Sequence, residues 1–364
     1  MPEKYERIDV IIPAYNVPDN ILARCLASIA AQNNVELIDV TIVDDASTEQ
    51  NYENVADIFR PLMHVNVIGY SENKGPGVAR QYGYDHSSNE LVTFIDADDT
   101  FAGAFALSIL NRVIQNEYTV AIFGRFDEAH LTPNRDYDFV PHDNDTIWMF
   151  GKLYRRSFLD KYNIRFHESS RANEDNGFNK ICIFCSNPYE QIAYVPHCVY
   201  YWHDTMNSIT RNNDGEYGFG AEKHHSFYGY MENMIYAIKY ARERGITEYQ
   251  NGISTDDWAA RCMVNAYVSY IQMSSKRPEN IDKIFEYCKW FYTECYKEIE
   301  ETYDREELER HINYNISNEY NMGAMMGVVQ RISFYEFLDM MKQDDEKVKQ
   351  YHEQILHNAT MINA

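Results

Sequence analysis

Leu91-Val-Thr-Phe-Ile-Asp-Ala-Asp-Asp99 is an apolar run that ends in a crowd of carboxylates. A second stretch, Val40-Thr-Ile-Val-Asp-Asp45, has the same build. Both runs are short, β-branched and apolar, which reads as strand. Carboxylates packed at a strand end repel one another. A divalent cation bound with a nucleotide diphosphate relieves that repulsion, because hard oxygen ligands suit Mg²⁺ or Mn²⁺ and the metal neutralises phosphate charge. Sugar-nucleotide chemistry is the leading expectation.

Outward from these runs, strand and helix alternate. Ile8–Ile12 is a strand, and Asn20–Gln32 has helical spacing through Ile21, Leu22, Cys25, Leu26 and Ile29. Strand 38–43, helix 51–59, strand 65–68, helix 77–84, strand 91–95, helix 104–114 and strand 119–123 follow. Such β-α units predict an α/β fold, a mainly parallel Rossmann-like sheet with helices on both faces and ligands at the carboxyl ends of the strands. Both acidic clusters fall there. Residues 124–145 are irregular and rich in Asp, Asn, His and Pro, which implies loops or an antiparallel edge. Beyond Gly220 the spacing becomes helical: Phe227, Met231, Met234, Ile235 and Ile238 share one face, and Ala259, Cys262, Met263, Ala266, Tyr267 and Tyr270 another. Residues 298–310 read as a solvated helical face and 325–341 as a further amphipathic helix. The expected division is 1–214, with halves of about 1–124 and 125–214, and a helical C-terminal module, 215–364.

A net charge of −23 argues against general affinity for nucleic-acid backbones, without excluding a local basic groove. No 18-residue apolar segment and no leader pattern occur, so a soluble cytoplasmic protein without a transmembrane segment is expected. The seven scattered cysteines fit reduced thiols better than a disulfide framework, and Cys182-x-x-Cys185 reads as core. The 30 tyrosines can act as sugar-stacking platforms or as amphipathic core and rim; for most of them the second reading is preferred.

Several ordered segments carry a resemblance. They are Val10-Ile-Ile-Pro-Ala-Tyr-Asn16, Cys25-Leu-Ala-Ser-Ile-Ala-Ala-Gln32, Ile42-Val-Asp-Asp-Ala-Ser-Thr48, Asn73-Lys-Gly-Pro-Gly-Val-Ala-Arg80 and Phe94-Ile-Asp-Ala-Asp-Asp99. Gly151-Lys-Leu-Tyr-Arg-Arg-Ser-Phe158, Asn173-Glu-Asp-Asn-Gly-Phe178 and Tyr201-Trp-His-Asp-Thr-Met-Asn-Ser-Ile-Thr-Arg211 follow. In this order and spacing they resemble the family 2 glycosyltransferases of the GT-A fold, over roughly residues 7–212.

The resemblance implies an inverting transferase that uses a nucleotide sugar, most readily a UDP-sugar, with Mn²⁺ or Mg²⁺ and a hydroxyl acceptor, a cell-surface glycan or glycopolymer first. It places Pro13, Ala14 and Tyr15 at the nucleobase and gives Asp45, with Asp44 beside it, the uracil imide; helix capping by Asp45 or Ser47 is the plain alternative. Asn73, Gly75 and Arg80 fall to the donor, although Arg80 could also cap the sheet edge. Asp96 and Asp98, on one side of an extended Asp96-Ala97-Asp98 segment, would take ribose and metal, while Asp99 stands nearby or caps a helix. His203 is either a metal or diphosphate contact or a structural histidine. Asp175 would be the catalytic base and Glu174 would position hydroxyls, unless both merely cap a helix. Arg211 could close over the diphosphate, and Trp202 could stack on a sugar. The alternatives are a nucleotidyltransferase, a non-catalytic nucleotide-sugar or glycan-binding protein, and a transferase acting on modified DNA. The C-terminal helices could select the acceptor, bind a membrane surface or form a homo-oligomer.

Overall fold

The computed structural model describes residues 5–132, 136–186, 191–203, 226–249, 253–276, 278–318, 332–343 and 345–362. The chain divides into two compact units, 1–218 and 219–364.

The first unit opens with β1 (Ile8–Ala14), α1 (Asp19–Ala30), β2 (Ile38–Asp45), α2 (Tyr52–Phe59), β3 (His64–Tyr70), α3 (Pro76–Asp85) and β4 (Leu91–Phe94). The strands lie parallel in the order β3-β2-β1-β4, so the chain reverses its direction of winding at β1. Crossover helices cover such a sheet on both faces, which is why its strands are apolar runs rather than alternating ones. Val10, Ile12, Val40 and Ile42 join Leu22, Leu26, Ile29, Val55 and Phe59 of α1 and α2 in one core. Ile11 and Val43, on the opposite face, meet α3 at Gly83, where an added Cβ would lie 2.5 Å from Ile11 Cγ2 and 2.9 Å from Val43 Cγ2. Helix boundaries follow local chemistry. Asn51 caps α2, its side chain accepting the Glu53 N–H at 3.1 Å, so the helix begins one residue later than periodicity alone suggests.

Beyond β4 the sheet becomes mixed. β5 (Thr100–Phe101), α4 (Ala106–Ile114), β6 (Ala121–Leu131), β7 (Tyr137–His142), β8 (Lys152–Arg155), α5 (Arg156–Tyr162), α6 (Glu174–Cys185) and β9 (Ile192–His203) continue the order as β4-β8-β6-β9-β5. β8 runs antiparallel between β4 and β6, β9 runs parallel to β6, and β7 pairs with β6 as an antiparallel edge. Of the two readings of 124–145, the antiparallel edge is therefore the one realised. β6 starts at Ala121 rather than at Thr119, which is held in a turn by its N–H bond to the Asn116 carbonyl at 2.9 Å.

The second unit is built from α7 (Ser226–Glu243), α8 (Thr255–Lys276), α9 (Ile281–Phe291), α10 (Arg305–Asn318), α11 (Phe334–Met341) and α12 (Asp345–Ile362). The apolar faces expected for α7 and α8 form its core. Two expected boundaries change. The helix expected over 298–310 begins only at Arg305, because the Asp304 side chain accepts the Glu307 N–H at 2.9 Å and caps it there. Of the one expected over 325–341, residues 325–331 lie outside the described residues, and a helix begins at Phe334, where Ser333 and Glu336 form a reciprocal capping box. No helix among the described residues is long and apolar enough to cross a membrane.

Gly83→Ala drives a methyl into Ile11 and Val43 and is expected to cost about 1–3 kcal/mol of stability, measurable by urea unfolding, while an exposed change such as Ile58→Ala stays near wild type.

Candidate active site

The carboxyl ends of β1 and β2 turn sharply through residues in the left-handed region, Asn16 (φ 49°) and Ala46 (φ 61°). The two turns are laced together. Asn16 Oδ1 accepts the N–H groups of Thr48 (2.9 Å) and Glu49 (3.2 Å), and Ser47 Oγ accepts the Asn16 N–H at 2.9 Å. Pro13 and Ala14 end β1 beneath this turn, and Tyr15 stands 49% exposed beside it. Asp44 accepts the Ser47 N–H at 2.8 Å, which is a turn-closing role.

Buried Asp45 organises the next loop. Its carboxylate accepts Lys74 N–H (2.7 Å), Gly75 N–H (2.8 Å) and Asn73 Nδ2 (3.0 Å). Arg171 grips the same loop, donating to Asn73 Oδ1 at 2.6 Å and to the Asn73 carbonyl at 2.7 Å. Residues 73–75, which precede α3, are thus fixed by an acid from β2 and an arginine just before α6.

The acidic segment after β4 divides its labour. Asp99 is fully buried and accepts the Tyr200 hydroxyl (2.6 Å) and the His203 N–H (2.8 Å), so it stands near Asp96 and Asp98 in a scaffolding position and does not cap α4. Burial, then Asp98 and Asp96, push its carboxyl well above the usual range. Asp96 and Asp98 remain partly open to solvent, with Ala97 buried between them. Cys25 of α1 donates to the Asp96 carbonyl and Arg24 to that of Asp98, which holds the segment against the helix. His203 Nε2 meets Thr100 Oγ1 at 2.9 Å, while its Nδ1 is buried with no hydrogen-bond partner. Burial, and then Arg24, pull its pKa down to about 4, so the ring is neutral at pH 7.

Carboxylate oxygens of Asp96 and Asp98 and an orphaned neutral imidazole nitrogen are donors that suit Mn²⁺ or Mg²⁺. They are not drawn together as ligands; among the described residues, the ligand atoms that approach within 4.8 Å of one another are those of Asp257, Glu307 and His311 in the second unit. That trio is internally satisfied. Asp257 accepts from Tyr303 (2.5 Å), His311 (2.9 Å) and Arg261 (2.7 Å).

Arg80 connects the acidic segment to α6. Its guanidinium is buried and donates to Asp96 Oδ1 and to Glu174 Oε1, both at 2.5 Å. Two ion pairs hold it charged despite its burial. Gly77 makes room for this arrangement, since a Cβ there would lie 2.8 Å from Glu174 Cγ. Asp175, the next residue, accepts the adjacent Asn176 N–H at 2.8 Å, and Arg80 is bonded to Glu174 rather than to it. Burial first, then the negative charge of Glu174, raise its pKa to about 7, against the lowering pull of Arg80. The N-terminal position on α6 favours the ionised form of Asp175, but desolvation outweighs it.

Asp96, Arg80, Glu174 and Asp175 are therefore one electrostatic group, and Asp45, Asn73 and Gly75 another. Arg211 lies outside the described residues. Trp202 stacks on Phe150 and Trp148 within the first unit's core rim. Sequence reasoning missed Arg171 and Lys152. The Lys152 ammonium is fully buried against Asp145 (3.0 Å) and over the Phe123 ring, and burial lowers its pKa. Lys152 stood in a quoted motif without a role; Arg171 carried no local signal.

A parallel sheet that reverses at β1, an acidic segment past β4 and a buried carboxylate pair opening α6 together define a GT-A fold. Residues 9–172 match the family model "Glycosyl transferase family 2". It is similar to "Glycosyltransferase GlyA" of Streptococcus pneumoniae serotype 4, 26% identical over 230 residues, 57% of this chain and 32% of that protein. It is also similar to "Poly(ribitol-phosphate) beta-glucosyltransferase" of Bacillus spizizenii, 28% identical over 246 residues, 64% of this chain and 37% of that protein. The chain thus spans about a third of the length of these two relatives. The crystal structure of S. aureus TarS 1-349 in complex with UDP-GlcNAc superposes with a TM-score of 0.61 at 18% identity, covering 90% of this chain and 97% of that one.

Asp45→Ala removes the acceptor for two loop N–H groups, and hydrogen exchange at Lys74 and Gly75 is expected to lose protection, with about 1–3 kcal/mol lost from overall stability.

Proposed function

We propose that this protein transfers a sugar from a nucleotide sugar, a UDP-sugar foremost, to an acceptor hydroxyl with inversion by single displacement. The observation that carries this reading is Asp175, a buried carboxyl with a pKa raised to about 7, beside Glu174, which Arg80 joins to Asp96. A general base works best when its pKa lies near the operating pH. Asp175 takes the acceptor hydroxyl proton as that oxygen bonds to the anomeric carbon. The bond from that carbon to the diphosphate breaks on the opposite side, and the nucleoside diphosphate leaves with the electron pair. Glu174, held by Arg80, positions hydroxyls rather than moving protons. Pro13, Ala14 and Tyr15, with the Asp44–Asp45 turn and the Asn73–Gly75 loop, form the nucleotide cradle, and Arg211 is proposed to close over the diphosphate. Asp96, Asp98 and His203 would hold Mn²⁺ or Mg²⁺, which when bound supplies positive charge to the diphosphate leaving group.

The acceptor in this reading is a cell-surface glycan or related polymer, supported by similarity to the poly(ribitol-phosphate) beta-glucosyltransferase of Bacillus spizizenii. A cytoplasmic location belongs to the same proposal and is supported by cysteines that are all free.

UDP release from a panel of UDP-sugars with Mn²⁺ tests the proposal: wild type is expected to turn over, while Asp175→Asn binds UDP with wild-type affinity and releases none. UDP binding without turnover in either protein would refute it. For wild type, kcat/KM should rise with pH and level off above a midpoint near 7. The folded-state pKa of Asp175 lies above its ordinary 3.8, so its burial costs stability progressively from about pH 4 to about pH 7. Asp175→Asn should therefore be at least as thermostable as wild type at pH 8, although inactive.

Arg80→Met removes the cation that lowers the Asp175 pKa. The acid limb of any remaining activity is expected to move to higher pH, measured as the kcat/KM profile; an unmoved limb would remove Arg80 from the account of that pKa.

A further inference from the structure

The β6–β7 ribbon carries aromatic rings that the site described above does not use. Register places Tyr137 opposite Leu131 and Phe139 opposite Ala129, and across β6 Ala129 faces His203 and Asp127 faces Tyr201. Alternation along each strand puts Tyr137, Phe139, Tyr201 and His203 on one face. Their rings form a continuous strip: Tyr137–Phe139 centroids are 6.1 Å apart, Phe139–Tyr201 5.1 Å and Tyr137–His203 6.0 Å. Tyr137 is 43% and Phe139 49% exposed on an edge strand, where solvated aromatic surface is a liability unless something covers it. At its inner end the strip joins the acidic segment, because Asp99 accepts the His203 N–H and Thr100 bonds the His203 ring.

Charge narrows the occupant. Asp136, Asp138 and Asp143 are exposed along the ribbon, and Arg125 is held by Asp127 at 2.8 Å and lies 3.7 Å from Asp143. Phosphate backbones and anionic lipid headgroups are repelled by such a surface. A neutral sugar ring is not: its C–H face lies on an aromatic ring while its hydroxyls reach carboxylates and water. We propose that Tyr137, Phe139 and Tyr201 form a stacking track for a neutral oligosaccharide stretch of the acceptor, leading its end toward His203 and the Asp96–Asp99 segment. This rests on the glycosyltransferase reading given above.

Isothermal titration with cellohexaose, laminarihexaose and maltohexaose tests it on wild type, on Tyr137→Ala/Phe139→Ala and on Tyr137→Phe/Phe139→Tyr. Wild type is expected to bind at least one hexasaccharide, the double alanine variant at least tenfold more weakly, and the aromatic exchange like wild type. UDP affinity measured alongside should be equal in all three, so a wild type that binds a hexasaccharide but no UDP contradicts the proposed function and leaves the track standing. Binding of none of the hexasaccharides by wild type, or equal binding by the alanine variant, would overturn the track. So would a wild-type dimer that the alanine pair dissolves, since a second copy would then be what covers the strip.

Discussion

A buried guanidinium needs carboxylates, and Arg80 takes them from two segments that are far apart in the chain. Asp96 follows β4, and Glu174 opens α6. Desolvating the Arg80–Glu174 pair is expensive, and removing Arg80 leaves buried Glu174 without its direct cationic partner. Within this arrangement the charges are shared unequally. Arg80 bonds to Glu174 and not to Asp175, so Glu174 has a direct cationic partner, while Asp175 feels both its burial and its neighbour's charge. One arginine thereby gives two adjacent acids different partners, which is the asymmetry a base and a positioning group require.

The same geometry ties the two halves of the first unit together. Asp45 and Arg171 both hold residues 73–75, Gly77 packs on Glu174, and Arg80 reaches Glu174 and Asp96. The loop entering α3 and the start of α6 are joined at each of these points. A nucleotide resting on the loop would meet a surface already registered against the carboxylate pair, so little reorganisation separates binding from chemistry.

Much of this was legible in the sequence because it rests on periodicity. The strands β1, β2 and β4 are buried on both faces and read as continuous apolar runs, and the helical faces of α7 and α8 appear as regular spacings. The acidic residues were visible as clusters at strand ends. Their division of labour was not, because it depends on long-range pairing: Asp99 differs from Asp98 through Tyr200 and His203, about a hundred residues away in sequence. Arg171 was invisible for the same reason, its partner Asn73 lying 98 residues earlier. Residues 124–145 read only as loops or an antiparallel edge because the exposed residues of β7 show no buried stripe, and Asp304 and Ser333 set helix starts through caps that a hydrophobic pattern does not register.

The account stands on Arg80 coupling the acidic segment to the carboxylate pair, and a double-mutant cycle on Asp96→Asn and Glu174→Gln measures that coupling directly. Unfolding free energies of wild type, both single variants and the double variant should reveal an interaction energy of about 1–3 kcal/mol, since both acids neutralise one buried cation. Additivity to within about 0.5 kcal/mol would mean that the two acids act independently, and would contradict the arrangement.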